Sequence, residues 1–119
     1  AGKLNYPKRG EVYFVRFDPA EGAEIKKTRR AVILQNNIGN EHADTTLVAP
    51  LSTYNNNLKP FLAFVKKGEG GTKVDSVVRL NQIRVIDKSR LGKRSGVLSE
   101  RTMREIDKAI MISLGLFNF

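Results

Sequence analysis

The chain has no cysteine, no tryptophan and a single histidine. Without thiols there is no disulfide, no thiolate nucleophile and no cysteine-based zinc site. That composition suits a cytoplasmic protein. The one histidine, His42, lies in a polar stretch and cannot form a histidine-rich metal site; a solvated loop side chain is expected. Acidic residues are few: Asp and Glu number 12 against 21 Lys and Arg, for a formal charge of +9. No two carboxylates are spaced as a catalytic pair, and no Ser, His and Asp set includes a usable base. No apolar run approaches the length that spans a bilayer. Ala1-Gly2-Lys3-Leu4-Asn5 lacks the apolar centre of a secretory signal. Gly68-Glu69-Gly70-Gly71 is followed by a strand start, Thr72-Lys73-Val74, where a phosphate-binding loop needs a helix. It reads as a mobile hairpin tip.

What is present is one domain, residues 1–119, with 40% hydrophobic and 28% charged residues, ordinary for a globular protein. The positive excess attracts polyanions, nucleic acid first, although an anionic membrane surface or an acidic protein would be attracted too. Apolar β-formers mark strands at residues 11–17, 31–34, 46–51, 61–65, 74–80 and 83–86, with a short one at 96–98. Between them lie a charged loop over 23–29, polar loops over 36–45 and 52–59, a flexible glycine segment over 66–72 and a basic turn over 88–93. Ser99 is a good N-cap with Glu100 at the positive helix end. Met103, Ile106, Ile110 and Leu114 then recur at helical spacing, and Gly115 is a natural stop. The expectation is mainly β with a C-terminal α-helix: a small barrel of five to seven strands with the helix packed on it.

The groups left for chemistry are arginines, lysines, hydroxyls and amides in loops. Guanidinium forks match phosphate oxygens and stabilise the extra charge of a pentacovalent phosphorus. RNA carries its own nucleophile in the 2′-OH, so a ribonuclease needs neither a metal nor a covalent intermediate. This inventory permits such an enzyme without establishing it.

Five pieces in order carry a resemblance. Lys8-Arg9-Gly10-Glu11-Val12-Tyr13-Phe14 opens the chain's first strand. Arg29-Arg30-Ala31-Val32-Ile33-Leu34-Gln35-Asn36 is followed by Ile38-Gly39-Asn40. Leu47-Val48-Ala49-Pro50-Leu51-Ser52 ends in a hydroxyl. Asp75-Ser76-Val77-Val78 leads to Asn81-Gln82-Ile83-Arg84 and Ile86-Asp87-Lys88. Ile112-Ser113-Leu114-Gly115-Leu116 closes the helix. From about Lys8 to Phe119 the chain resembles the MazF/PemK family of toxins, metal-independent endoribonucleases of toxin–antitoxin modules.

The resemblance implies an SH3-like barrel and a homodimer. The implied substrate is single-stranded mRNA cut at a short sequence, and the implied partner an antitoxin with an acidic, disordered tail. No cofactor, no metal and no membrane are implied. It places the catalytic arginine at Arg29, with Arg30 where proline is common, and the catalytic hydroxyl at Ser52, with Thr53 beside it. Glu24, Asn36 and Gln82 match groove-lining positions. Lys26 and Lys27, standing where a glycine pair is frequent, would steer RNA together with Arg30. Phe17 is either core or a base-stacking ring. Two other classes stay open. A gyrase poison on the same fold, like CcdB, would remain toxic after Arg29→Ala. A non-catalytic RNA-binding barrel would leave RNA intact, but few aromatics are present for stacking.

Overall fold

The structure, a computed structural model, describes residues 5–17, 22 and 27–116. Its order is β1 (Glu11–Arg16), β2 (Thr28–Ile33), α1 (Asn37–His42), β3 (Thr45–Thr53), β4 (Leu62–Val65), β5 (Ser76–Arg79), β6 (Arg84–Asp87), β7 (Leu91–Val97) and α2 (Glu100–Ser113). Every ladder is antiparallel. The strands run β4-β5-β3-β2-β1-β7, with β6 paired to the first half of β3. β3 therefore carries β2 along one edge and β6, then β5, along the other. Among the described residues no ladder joins β4 to β7, so the barrel is an open one. Its seven strands are the upper end of the expected number.

Side chains alternate between the two faces of a strand, and here both faces are covered. Val12, Val32, Ala49, Leu51, Val78 and Leu80 form one core with Ile106 and Ala109 of α2. Val15, Phe17, Ala31, Ile33, Val48 and Ile86 form a second core on the opposite face. Phe17 is thus a core residue, 1% exposed.

Helix α2 follows the expected plan at both ends. The Ser99 side chain accepts from the Thr102 N–H, and Gly115, at φ 73°, ends the helix in a left-handed turn. Ile106 is fully buried, and Met103 and Ile110 pack against the same core. Leu114 departs from the plan: it is 60% exposed, beyond the end of the apolar stripe.

Several irregular segments turn out to be ordered. The stretch read as a loop over 36–45 contains α1, capped by Asn36, whose side chain accepts from the Gly39 N–H. Asn40 is fully buried inside it. Asn40 donates to Gln35 O at 2.8 Å and accepts from Thr46 Oγ1 at 2.7 Å, so its burial leaves no polar atom unmatched. β2 begins at Thr28, inside the expected charged loop, and β3 continues through Ser52 and Thr53. Only the first part of the basic turn is a turn, the 3-10 segment Lys88–Arg90; β7 follows it directly.

The glycine segment is a built turn, not a mobile tip. Glu69–Gly71 forms a 3-10 turn with Gly70 buried. Its backbone lies directly against β7. A Cβ on Gly71 would sit 2.2 Å from Ser95 O, and one on Gly96 would sit 2.6 Å from Gly70 C. Gly71 also has φ 80°, which side chains disfavour. Gly71→Ala should therefore lower stability by roughly 2–4 kcal/mol in denaturant unfolding, combining backbone strain with a clash that cannot relax.

The same turn holds the helix. The Ser99 N–H donates to Glu69 Oε1 at 2.8 Å. Burial raises the pKa of Glu69, but hydrogen bonds from the Ser99 N–H and from the Thr102 and Ser99 side chains outweigh it, and the carboxyl titrates below its ordinary value. A lowered carboxyl pKa contributes stability above the unfolded-state pKa, and that stability is lost as pH falls through the folded-state value. Glu69→Gln should lower the melting temperature at neutral pH, and thermal scans should show that deficit shrinking as the pH drops below about 4.

Candidate active site

Ser52 is the penultimate residue of β3. It pairs with Val77 of β5 and shares a face with Val48 and Pro50. On β2, Arg29 shares a face with Ala31 and Ile33. Ala31 pairs with Pro50, the last pair of that ladder toward this end. Arg29 pairs with Val15 on its other side. Arg29 and Ser52 each lie two residues beyond the Ala31–Pro50 pair, on the strand faces that carry the second core. Both border a cavity whose wall also includes Phe14, Arg30, Thr72 and Lys73.

Arg30, one residue on, faces the other way. Its guanidinium lies over the Phe14 ring, 4.7 Å from the centroid, and its Nε donates to Ser95 Oγ at 2.9 Å. Ser95 Oγ in turn donates to Gly70 O at 2.8 Å. Thr53 likewise alternates away from Ser52 and pairs with Ser76. Strand alternation turns these neighbours to opposite faces, yet Arg30 and Thr53 line the same cavity as Arg29 and Ser52.

Two further arginines share Ser52's face, and sequence reading gave neither a role. Arg79 ends β5 and donates from Nε to Ser52 Oγ at 2.8 Å. Among the described residues no carboxylate pairs with it. Arg84 opens β6 opposite Val48. It lies 5.4 Å from the Phe17 centroid, and its Nη1 donates to Phe17 O at 3.5 Å. The signal for both was parity: each falls on the even or odd positions that its strand turns toward Ser52.

The other expected site residues scatter. Asn36 caps α1 beyond the far end of β2, and Gln82 lies in the turn between β5 and β6; neither lines the cavity. Lys27 is exposed at φ 67°, just before β2, and its carbonyl accepts from the Phe17 N–H. Glu24 and Lys26 lie outside the described residues. His42 is exposed in the last turn of α1, beside Glu41. Among the described residues no cluster of three His, Asp or Glu side chains is placed to hold a metal ion. No helix among them is long and apolar enough to cross a membrane.

The site therefore holds the Ser52 hydroxyl on the Arg79 guanidinium and puts Ser52, Arg29 and Arg30 in one cavity wall. Such a group can hold a phosphodiester and neutralise charge that develops on it.

Residues 8–114 match the model of a family described as PemK-like, MazF-like toxin of type II toxin-antitoxin system. Over 113 residues, 94% of either chain, the sequence is 41% identical to an endoribonuclease MazF of Staphylococcus epidermidis. The fold is similar to MazF from Deinococcus radiodurans, at TM-score 0.80 and 21% identity over 93% of this chain and 98% of that one. It is also similar to an endoribonuclease solved with its cognate antitoxin from Mycobacterial species, at TM-score 0.79 and 23% identity over 95% and 99%. A family match across nearly the whole chain, together with a relative this similar, makes the protein a member of the PemK/MazF toxin family.

Proposed function

We propose that the protein is a MazF-like endoribonuclease, the toxin of a toxin–antitoxin module, cutting single-stranded mRNA in the cytoplasm at a short sequence without a metal. The observation that supports it is that Arg29 and Ser52 border one cavity. The 41% identical relative named for this activity supports it independently.

In this reading the ribose 2′-OH oxygen attacks the adjacent phosphorus and the bond to the 5′ oxygen breaks. The products are a 2′,3′-cyclic phosphate and a 5′-OH. Arg29 stabilises the charge gathering on the phosphoryl oxygens and supplies a proton to the leaving oxygen. Ser52 hydrogen-bonds the phosphate or the 2′-OH and holds the attack in line. The 2′-OH proton leaves to a base outside this pair, because a guanidinium is already protonated and a serine hydroxyl is too weak a base. Arg30, held by Phe14 and Ser95, contributes field more than contact.

A charge of +9 gives the acidic tail of an antitoxin a matching surface, so inhibitor and RNA would compete for one basic face. Dimer formation belongs to the same reading. Leu47 and Val85, a cross-strand pair, are 39% and 58% exposed and offer apolar surface for a second copy.

With EDTA present, purified protein should cut a long single-stranded RNA into discrete fragments with 5′-OH ends. Arg29→Ala and Ser52→Ala should each slow this by about 10²–10³-fold, the usual cost of removing one transition-state donor. Intact RNA across several sequences would sink the reading, and toxicity surviving Arg29→Ala would favour the gyrase-poison class. Cleavage should also weaken as salt rises, since phosphate contacts release counterions. A rate indifferent to salt would contradict the role given to the basic face.

A further inference from the structure

Ser52 has a partner that nothing in the family reading supplies. A hydroxyl has one donor and two acceptor positions. The Nε–H of Arg79, 2.8 Å away, fills one acceptor position. What Ser52 can still offer a substrate is its O–H and one lone pair. Arg79 comes from β5 and Arg29 from β2, the strands on either side of β3. They stand on the two strands that flank Ser52's own, and the Arg79 guanidinium reaches its hydroxyl.

We propose that Arg79 is a positioning residue for cleavage: it fixes the rotation of the Ser52 hydroxyl so that the O–H points at the phosphate and the free lone pair at the 2′-OH. The inference rests on the ribonuclease reading above and adds to it the residue that holds the hydroxyl.

Three features carry this. Arg79 spends Nε on Ser52, and among the described residues no carboxylate ties up its charge. Its backbone is fixed, because β5 pairs on one side with β3 and on the other with β4, where Leu62 lies opposite Arg79. A donor from a charged group also polarises the hydroxyl it binds, which makes the remaining O–H a better donor. A serine rotating freely at a strand end would have to be ordered in each turnover; one held from below is already in place.

A double-mutant cycle on cleavage tests this. The variants are Arg79→Met, Arg79→Lys, Ser52→Ala and the double variant Arg79→Met/Ser52→Ala. If Arg79 acts through Ser52, Arg79→Met lowers kcat about 10-fold or more with little change in KM, a loss confined to the transition state. The same change made in Ser52→Ala costs almost nothing further. Arg79→Lys restores part of the kcat, because an ammonium can still donate to Oγ. Melting temperatures of all variants separate these effects from a loss of fold, and an equal loss of kcat and stability in Arg79→Met and Arg79→Lys overturns the proposal.

Losses that multiply independently overturn it as well, since Arg79 would then be a separate phosphate contact. A raised KM at unchanged kcat does the same. If the wild-type protein cuts no RNA, the ribonuclease reading falls and this inference with it. If the wild type cuts and the cycle is additive, this inference falls alone.

Discussion

The two-residue alternation of β3 is the constraint on which the rest depends. This strand is shared by β2 on one edge and by β5 and β6 on the other, and it has a core on each face. Val48 belongs to one core and Ala49 and Leu51 to the other. A slip of one residue would exchange the two sets and expose both. Because the cores cannot be exchanged, Ser52 and Thr53 cannot exchange either. The same logic, transmitted through the β2 register, sends Arg29 and Arg30 to opposite faces. Burial in the middle of the strands thus decides which polar side chains meet at their ends.

Much of this was legible in the chain, and the rest was hidden for identifiable reasons. The first strand, the apolar runs and both ends of α2 carry local signals: alternation, a serine cap and a stopping glycine. The start of β2 has no such signal. Thr28, Arg29 and Arg30 are polar, and they are extended only because β1 supplies a ladder from Phe14 to Arg16. Helix α1 was missed because it has six residues and an exposed Ile38, too short and too polar for an apolar stripe. Its cap, Asn36 with Gly39 three residues on, was a signal available in the sequence. The glycine turn read as mobile because the surface it packs against, Ser95 and Gly96, comes some 25 residues later.

The site was legible in part. Arg29 and Ser52 were named from family resemblance, and both border one cavity. Asn36 and Gln82 were named in the same way, yet neither lines the cavity that Arg29 and Ser52 border. Arg79 and Arg84 were passed over for a physical reason. An arginine's sequence neighbours say nothing about which hydroxyl or ring it will reach, and these partners lie 27 and 67 residues away.

The chain of contacts from Arg30 has a consequence for the molecule as a whole. Arg30 is bound to Ser95, Ser95 to the carbonyl of Gly70, and the neighbouring Glu69 to the amide of Ser99, which caps the C-terminal helix. One wall of the cavity is therefore anchored, link by link, to the helix cap on the far side of the glycine turn. The helix cannot lift away without loosening that wall. Docking of the helix and completion of the cavity then become a single cooperative event, and a chain whose helix is undocked would not present a finished cleft.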